Sequence, residues 1–309
     1  MSVSLLLLNK IVQFFFIMLM GFALVKSRLV NSRDSIILSK ISIYILMPCT
    51  IINAFQIDMD DSIRTGLMFA FGAAFILNVF MIIIGLTTAK IFHFDSIEKA
   101  SVIYSNAGNL VIPLVSSVLG SDLVIFASAY VTVQILFQMT HCVSLFQDNA
   151  KFDPKKFFTN INIISILVGF VLLVTGLRLP AIVNDTLSSM SSMLGPVSMV
   201  ITGMLLGGMD LKKIFTNKRI YLVSFVRLIL MPLLVLLLFK LTGAKWMIDN
   251  GENILMVSFL ATITPTASLI TQFAQLCGKN EDYAGAINIV TTVLCMITMP
   301  VMIVLYQMI

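Results

Sequence analysis

Charge is scarce in this chain. Asp, Glu, Lys and Arg supply 11% of its 309 residues, against roughly 25% in a soluble globular domain, so water is not its main solvent. There are only two histidines, and no P-loop, H-E-x-x-H or G-x-S-x-G run, which leaves an intramembrane enzyme with little chemistry to work with. The four cysteines, Cys49, Cys142, Cys277 and Cys295, fall within or at the ends of apolar runs without C-x-x-C spacing. Neither a disulfide framework nor a metal site is expected from them. Acidic residues such as Asp122, Asp210 and Asp282 sit at the ends of apolar runs or between them, which weighs against a carboxylate-based proton relay.

What is present is long hydrophobic sequence, 59% of the chain. A hydrocarbon slab about 30 Å thick needs about 20 apolar residues per helix. Such runs recur at 5–25, 35–56, 65–89, 98–119, 122–145, 161–178, 187–208, 219–240, 253–277 and 283–307. Their length and continuity favour helices over barrel strands of roughly ten alternating residues, so the predicted class is an all-α membrane protein with ten spans. The first run lacks a preceding basic flank and a small-residue cleavage pattern, and reads as a retained helix.

The net charge of +5 does not point to nucleic acid, because the basic residues sort by loop. With alternating spans, one side carries Lys26, Arg28, Arg33, Lys90, Lys99, Lys151, Lys155, Lys156, Lys212, Lys213, Lys218, Arg219 and Lys279, and the other little beyond Arg64, Arg178 and Lys245. The positive-inside rule then puts both termini outside an inner cell membrane.

The longest polar connection, 146–160, divides the chain into five spans at 1–145 and five at 161–309. An odd number inverts the second half. Pro48 and Pro196 fall in the second span of each half, and Pro113 and Pro265 in the fourth. Inverted repeats with paired interrupted helices are a recurring design of secondary transporters, whose substrate binds where the interruptions meet.

The fourth spans are therefore the candidate site, each expected to break at its proline. Asn106, Gly108 and Asn109 precede Pro113, while Thr264, Thr266 and Ser268 surround Pro265. A proline removes a backbone donor, and in hydrocarbon the freed groups must find partners or face a water-filled cavity. A half-helix restarting after each proline would present unpaired N–H groups and a partial positive charge, which suits an anion. The alternative is that each proline only kinks its helix while the hydroxyls bond their own carbonyls.

The runs S-N-A-G-N-L-V-I-P-L, T-P-T-A-S followed by C-G-K-N-E-D-Y-A, and T-T-V-L-C-M-I-T-M-P resemble the auxin efflux carrier family. L-M-P-C-T around Pro48 and R-L-I-L-M-P from Arg227 to Pro232 fit the same pattern. The short central loop resembles the bacterial members, which include malate and malonate permeases. The resemblance implies a ten-helix fold with crossed broken helices, similar to the bile-acid sodium symporters, in which a transport unit moves against a scaffold. It also implies a small, usually anionic, metabolite as substrate, met by Asn106, Gly108, Asn109 and Pro113 together with Pro265 and its neighbouring hydroxyls.

Three further features carry polarity into the spans. Arg227 lies inside an apolar run, where an unpaired charge is costly; substrate contact and snorkelling toward the helix end both account for it. Gln134 and Gln138, with His141, form one stripe, and Asn288, Thr291 and Thr292, with Cys295, form another. Each stripe either lines a substrate or ion path or packs its helix through hydrogen bonds. The expectation is an organic-anion carrier without catalytic turnover or cofactor, its coupling to sodium or protons open, and its partners the bilayer and the substrate, with a homodimer left open. An anion channel and a metabolite-binding membrane sensor are the alternatives.

Overall fold

The computed structural model describes residues 3–56, 60–147, 155, 158–208 and 216–309, and in these residues the chain is helical with no extended strand. We number the helices α1 (Val3–Lys26), α2 (Ser32–Ala54), α3 (Asp61–Phe92), α4a (Ser96–Ile103), α4b (Ala107–Val118), α5 (Ser121–Phe146), α6 (Ile161–Thr175), α7 (Ala181–Gly207), α8 (Lys218–Thr242), α9a (Gly251–Ile263), α9b (Leu269–Leu276) and α10 (Glu281–Gln307). Six of these, α2, α3, α5, α7, α8 and α10, are long and apolar enough to cross a membrane, and shorter apolar helices cover Val12–Lys26, Ile161–Thr175 and Gly251–Ile263.

The helix ends follow from local chemistry. Asp60 caps α3 by accepting from the Ile63 N–H at 2.7 Å, and Asp95 and Glu98 form a reciprocal capping box at the start of α4a. Asn280 accepts from the Tyr283 N–H to open α10. Gly176 and Gly243 close α6 and α8 in the left-handed conformation, which glycine adopts without steric cost.

Two helices widen at the same sequence. In α2 a π-helical turn, Ser42–Leu46, runs directly into Met47-Pro48, and in α8 another, Val226–Leu230, runs into Met231-Pro232. Proline lacks the N–H that would close the preceding turn and its ring crowds that turn's carbonyl. One extra residue per turn relieves the crowding. In α8 the widened turn carries Arg227.

The helices pack as two groups. α1 lies along α7, and both α6 and α7 pack on α2. Gly21, Gly203 and Gly207 allow the α1–α7 contact: a Cβ at Gly203 would overlap the Met18 carbonyl oxygen, and one at Gly21 that of Val200. The second group joins α3, α4 and α5 to α8, α9 and α10, with α3 on α5, α9a against both, and α8 on α10. Ile254 to Ile263 are all buried, as expected of a helix apolar on every side. Apolar side chains such as Phe16, Met20, Ile36, Val171 and Ile182 face outward from the first group. The groups meet along a seam where α4b touches α1 and α7, and α10 touches α1.

Candidate functional site at the paired helix breaks

The fourth helix does interrupt, but not at Pro113. The break is Tyr104–Asn106, and Pro113 sits inside α4b. Nothing local forbids helix at Tyr104-Ser105-Asn106; tertiary partners hold it open. Pro113 instead packs toward α7, where a Cβ at Gly195 would come 3.2 Å from the Pro113 Cβ. In the ninth helix the proline is inside the break, which covers Thr264–Ser268, so α9b restarts four residues beyond it. Thr264 is extended at φ −69°, ψ 158°, as proline requires of the residue before it.

The two breaks pair with each other. Ser105 and Thr266 form an isolated antiparallel bridge, flanked by Asn106 N–H donating to the Pro265 carbonyl at 2.8 Å and Ala267 N–H donating to the Tyr104 carbonyl at 3.0 Å. Extended backbone can thereby stand in an apolar interior, because each break answers part of the other's hydrogen-bonding demand. Ser268 Oγ donates to Asn106 Oδ1 at 3.3 Å and joins the two tips through side chains.

Neighbouring helices complete the pairing. From α5, Gln134 Nε2 donates to the Ser105 carbonyl at 2.5 Å while Gln134 Oε1 accepts from Ser105 Oγ at 2.9 Å. From α10, Asn288 Nδ2 donates to the Thr266 carbonyl at 2.6 Å, and Thr291 Oγ1 accepts from the Thr266 N–H at 3.3 Å. Thr266 Oγ1 donates to the Ser101 carbonyl at 3.0 Å. Gln134, Asn288 and Thr291 thus hold the broken backbone. Gln138 is buried one turn further along α5 in a π-helical turn, and Thr292 Oγ1 donates back to Asn288 within α10. Gly108 lies in the first turn of α4b, where an added Cβ would come 3.5 Å from Met47 Cε on α2; the Asn109 side chain lies outside the described residues.

Arg227 is fully buried and does not reach for the surface. Its Nε donates to the Thr264 carbonyl at 3.2 Å, Nη1 to Val102 at 3.1 Å, and Nη2 to Thr262 at 2.8 Å and Thr264 at 2.9 Å. These carbonyls terminate α4a and α9a.

Several participants carried no signal in the sequence reading. Tyr104 places its hydroxyl 2.8 Å from His141 Nδ1 and 3.1 Å from the Phe137 carbonyl. Tyr130, buried on α5, stands four residues before Gln134, so extending that polar stripe by one turn would have found it. Glu98 is buried despite lying near a helix start. It accepts from Arg219 Nε at 2.6 Å and Nη2 at 2.9 Å, and from Tyr283 Oη at 2.7 Å, tying the first turn of α4a to α8 and α10.

Beside the crossing, on the seam, is a cavity of about 40 Å³. Phe14 of α1 and Met199 of α7 form one wall, Leu110 and Leu114 of α4b another, and Thr292, Cys295, Met296 and Met299 of α10 a third, with Pro265 at the crossing itself. It has room for a water or two, whereas small-molecule sites occupy about 300–1,000 Å³.

The sequence model of a family described as membrane transport protein matches the chain over residues 6–159 and 149–303. No curated protein matches it.

Proposed function

The chain belongs to the membrane transport protein family, the one containing auxin efflux carriers and bacterial relatives, and as a multi-pass membrane transporter we propose that it carries a small organic anion, such as malate or another carboxylate, by alternating access. The observation that carries this reading is the crossing itself. α4b and α9b both begin at the paired breaks, and the first-turn N–H groups of a helix have no intrahelical partner and bear partial positive charge. Two such ends at one crossing favour an anion, with the linked Asn106 and Ser268 side chains and the first turn of α4b at Gly108 as the proposed polar contacts, although the adjoining cavity is lined mainly by apolar side chains.

The movement we infer is a shift of α3–α5 with α8–α10 past α1, α2, α6 and α7. A small cavity at a seam between two groups is what such a shift would reshape and expose alternately to each side. A ten-span arrangement of two inverted halves agrees with a correspondence between them: α5 satisfies the break in α4 through Gln134, and α10 satisfies the break in α9 through Asn288 and Thr291. The basic loops support an inner-membrane orientation with both termini outside.

Purified protein in proteoliposomes tests the function. Saturable uptake of a radiolabelled carboxylate, accelerated by the same carboxylate loaded inside, is expected; conductance far above carrier turnover, or no flux with any organic anion, would overturn it. A thermal-shift screen of dicarboxylates, monocarboxylates and amino acids selects the substrate, because a ligand of the native state raises apparent stability.

A further inference from the structure

A buried guanidinium needs a counter-charge, and the described partners of Arg227 are all carbonyl oxygens. They are not arbitrary ones. Val102 belongs to the last turn of α4a, and Thr262 and Thr264 to the end of α9a. Each helix C-terminus carries about half a negative elementary charge on its unpaired carbonyls, so two of them balance one guanidinium. The five donors in a rigid fork reach both ends together, which the compact ammonium of a lysine would not do as well.

A cluster of carbonyl oxygens converging from two helix ends is also what a hard cation such as sodium takes as ligands. We propose that Arg227 is the built-in cation of the crossing: it occupies the carbonyl cluster that a coupling metal ion would require, so the crossed helices hold together and turn over without sodium bound there. The proline-driven π-helical turn of α8 is what delivers it, since Val226–Leu230 widens immediately before Met231-Pro232 and carries Arg227 at its second position. Arg227 is therefore a positioning residue. It neutralises the negative ends of α4a and α9a and leaves the positive beginnings of α4b and α9b for the substrate. Its consequence for coupling rests on the transporter reading above; its consequence for ion-dependent stability does not.

The experiment compares sodium chloride with choline chloride at constant ionic strength. Wild-type protein is expected to show the same unfolding equilibrium in both salts, whereas a cation bound at one hundred times its Kd would shift that equilibrium roughly 100-fold. Arg227→Ala is expected to be destabilised in choline and to recover at least about tenfold in the unfolding equilibrium on addition of sodium, as for a site filled to about ten times its Kd. Arg227→Gln, which keeps two donors but no charge, is expected to gain the same sodium response and stands in if the alanine variant does not fold. Arg227→Lys is expected to show none. A residue that merely filled space would produce no new ion dependence. Sodium stabilisation of the wild type, or no sodium response in whichever neutral variant folds, would overturn the proposal. Equal uptake by the wild type in both salts is the matching transport result, and sodium-dependent uptake would likewise overturn it. Absence of any uptake alongside the expected stability pattern would sink the transporter reading and leave the built-in cation standing.

Discussion

Replacing Gln134 by leucine isolates the contribution of α5 to the crossing. Gln134 and Ser105 are both buried, and the amide serves the Ser105 carbonyl and the Ser105 hydroxyl at once. Leucine matches the volume closely, so the packing term is small. Two polar groups then lose partners. An orphaned buried group costs about 1–3 kcal/mol, but interhelical bonds in membrane proteins average about 0.6 kcal/mol with a maximum near 1.7. The Ser105 hydroxyl can rotate to another acceptor, which leaves the carbonyl as the main loss. We expect about 1–2 kcal/mol, a 5- to 30-fold increase in the unfolding equilibrium constant. Equilibrium unfolding in mixed micelles would measure it, and uptake should fall because the tip of α4b is no longer fixed. Adding Ser105→Ala should cost little more, since the two changes remove overlapping bonds. Wild-type stability and wild-type uptake in Gln134→Leu would refute the idea that α5 holds the break.

Three further outcomes are expected. Thr292→Leu places apolar bulk at the seam cavity of about 40 Å³; it should abolish carboxylate uptake in vesicles while leaving the unfolding midpoint at or above wild type. Gly203→Leu drives a side chain into the α1 backbone at Met18; overpacking of this kind costs about 1–3 kcal/mol or more, and loss of monodispersity on gel filtration would report it. Glu98→Gln weakens the bonds to Arg219 and Tyr283. Because Arg219 is 40% exposed and water can take over its charge, the cost should be about 1–2 kcal/mol in the unfolding equilibrium rather than the 3–5 of a fully buried pair.

How much of this was legible in the sequence differs by residue. The apolar runs mark where helices form because a bilayer imposes their length, and the fourth span of each half does contain a helix break. The break in the fourth helix was misplaced because Pro113 is the loudest local signal, yet a helix interior can absorb a proline when it faces a close neighbour such as Gly195. The true break depends on pairing of Ser105 with Gln134 and Thr266 and of Tyr104 with Phe137, partners 29 or more residues away. Arg227 could be recognised as costly. Its counter-charge could not, because helix ends have no residue letter.

The claim that one helix group slides past the other is tested most directly by fastening them together. Gly195 of α7 and Pro113 of α4b face each other across the seam with 3.2 Å between an added Cβ and the Pro113 Cβ, near the 3.5–4.5 Å span of a disulfide. The pair Pro113→Cys and Gly195→Cys would be built in a background lacking the four native cysteines, with each single variant first shown to take up substrate. Oxidation to the disulfide is predicted to reduce uptake to background and a reductant to restore it; undiminished uptake by fully cross-linked protein would contradict the account.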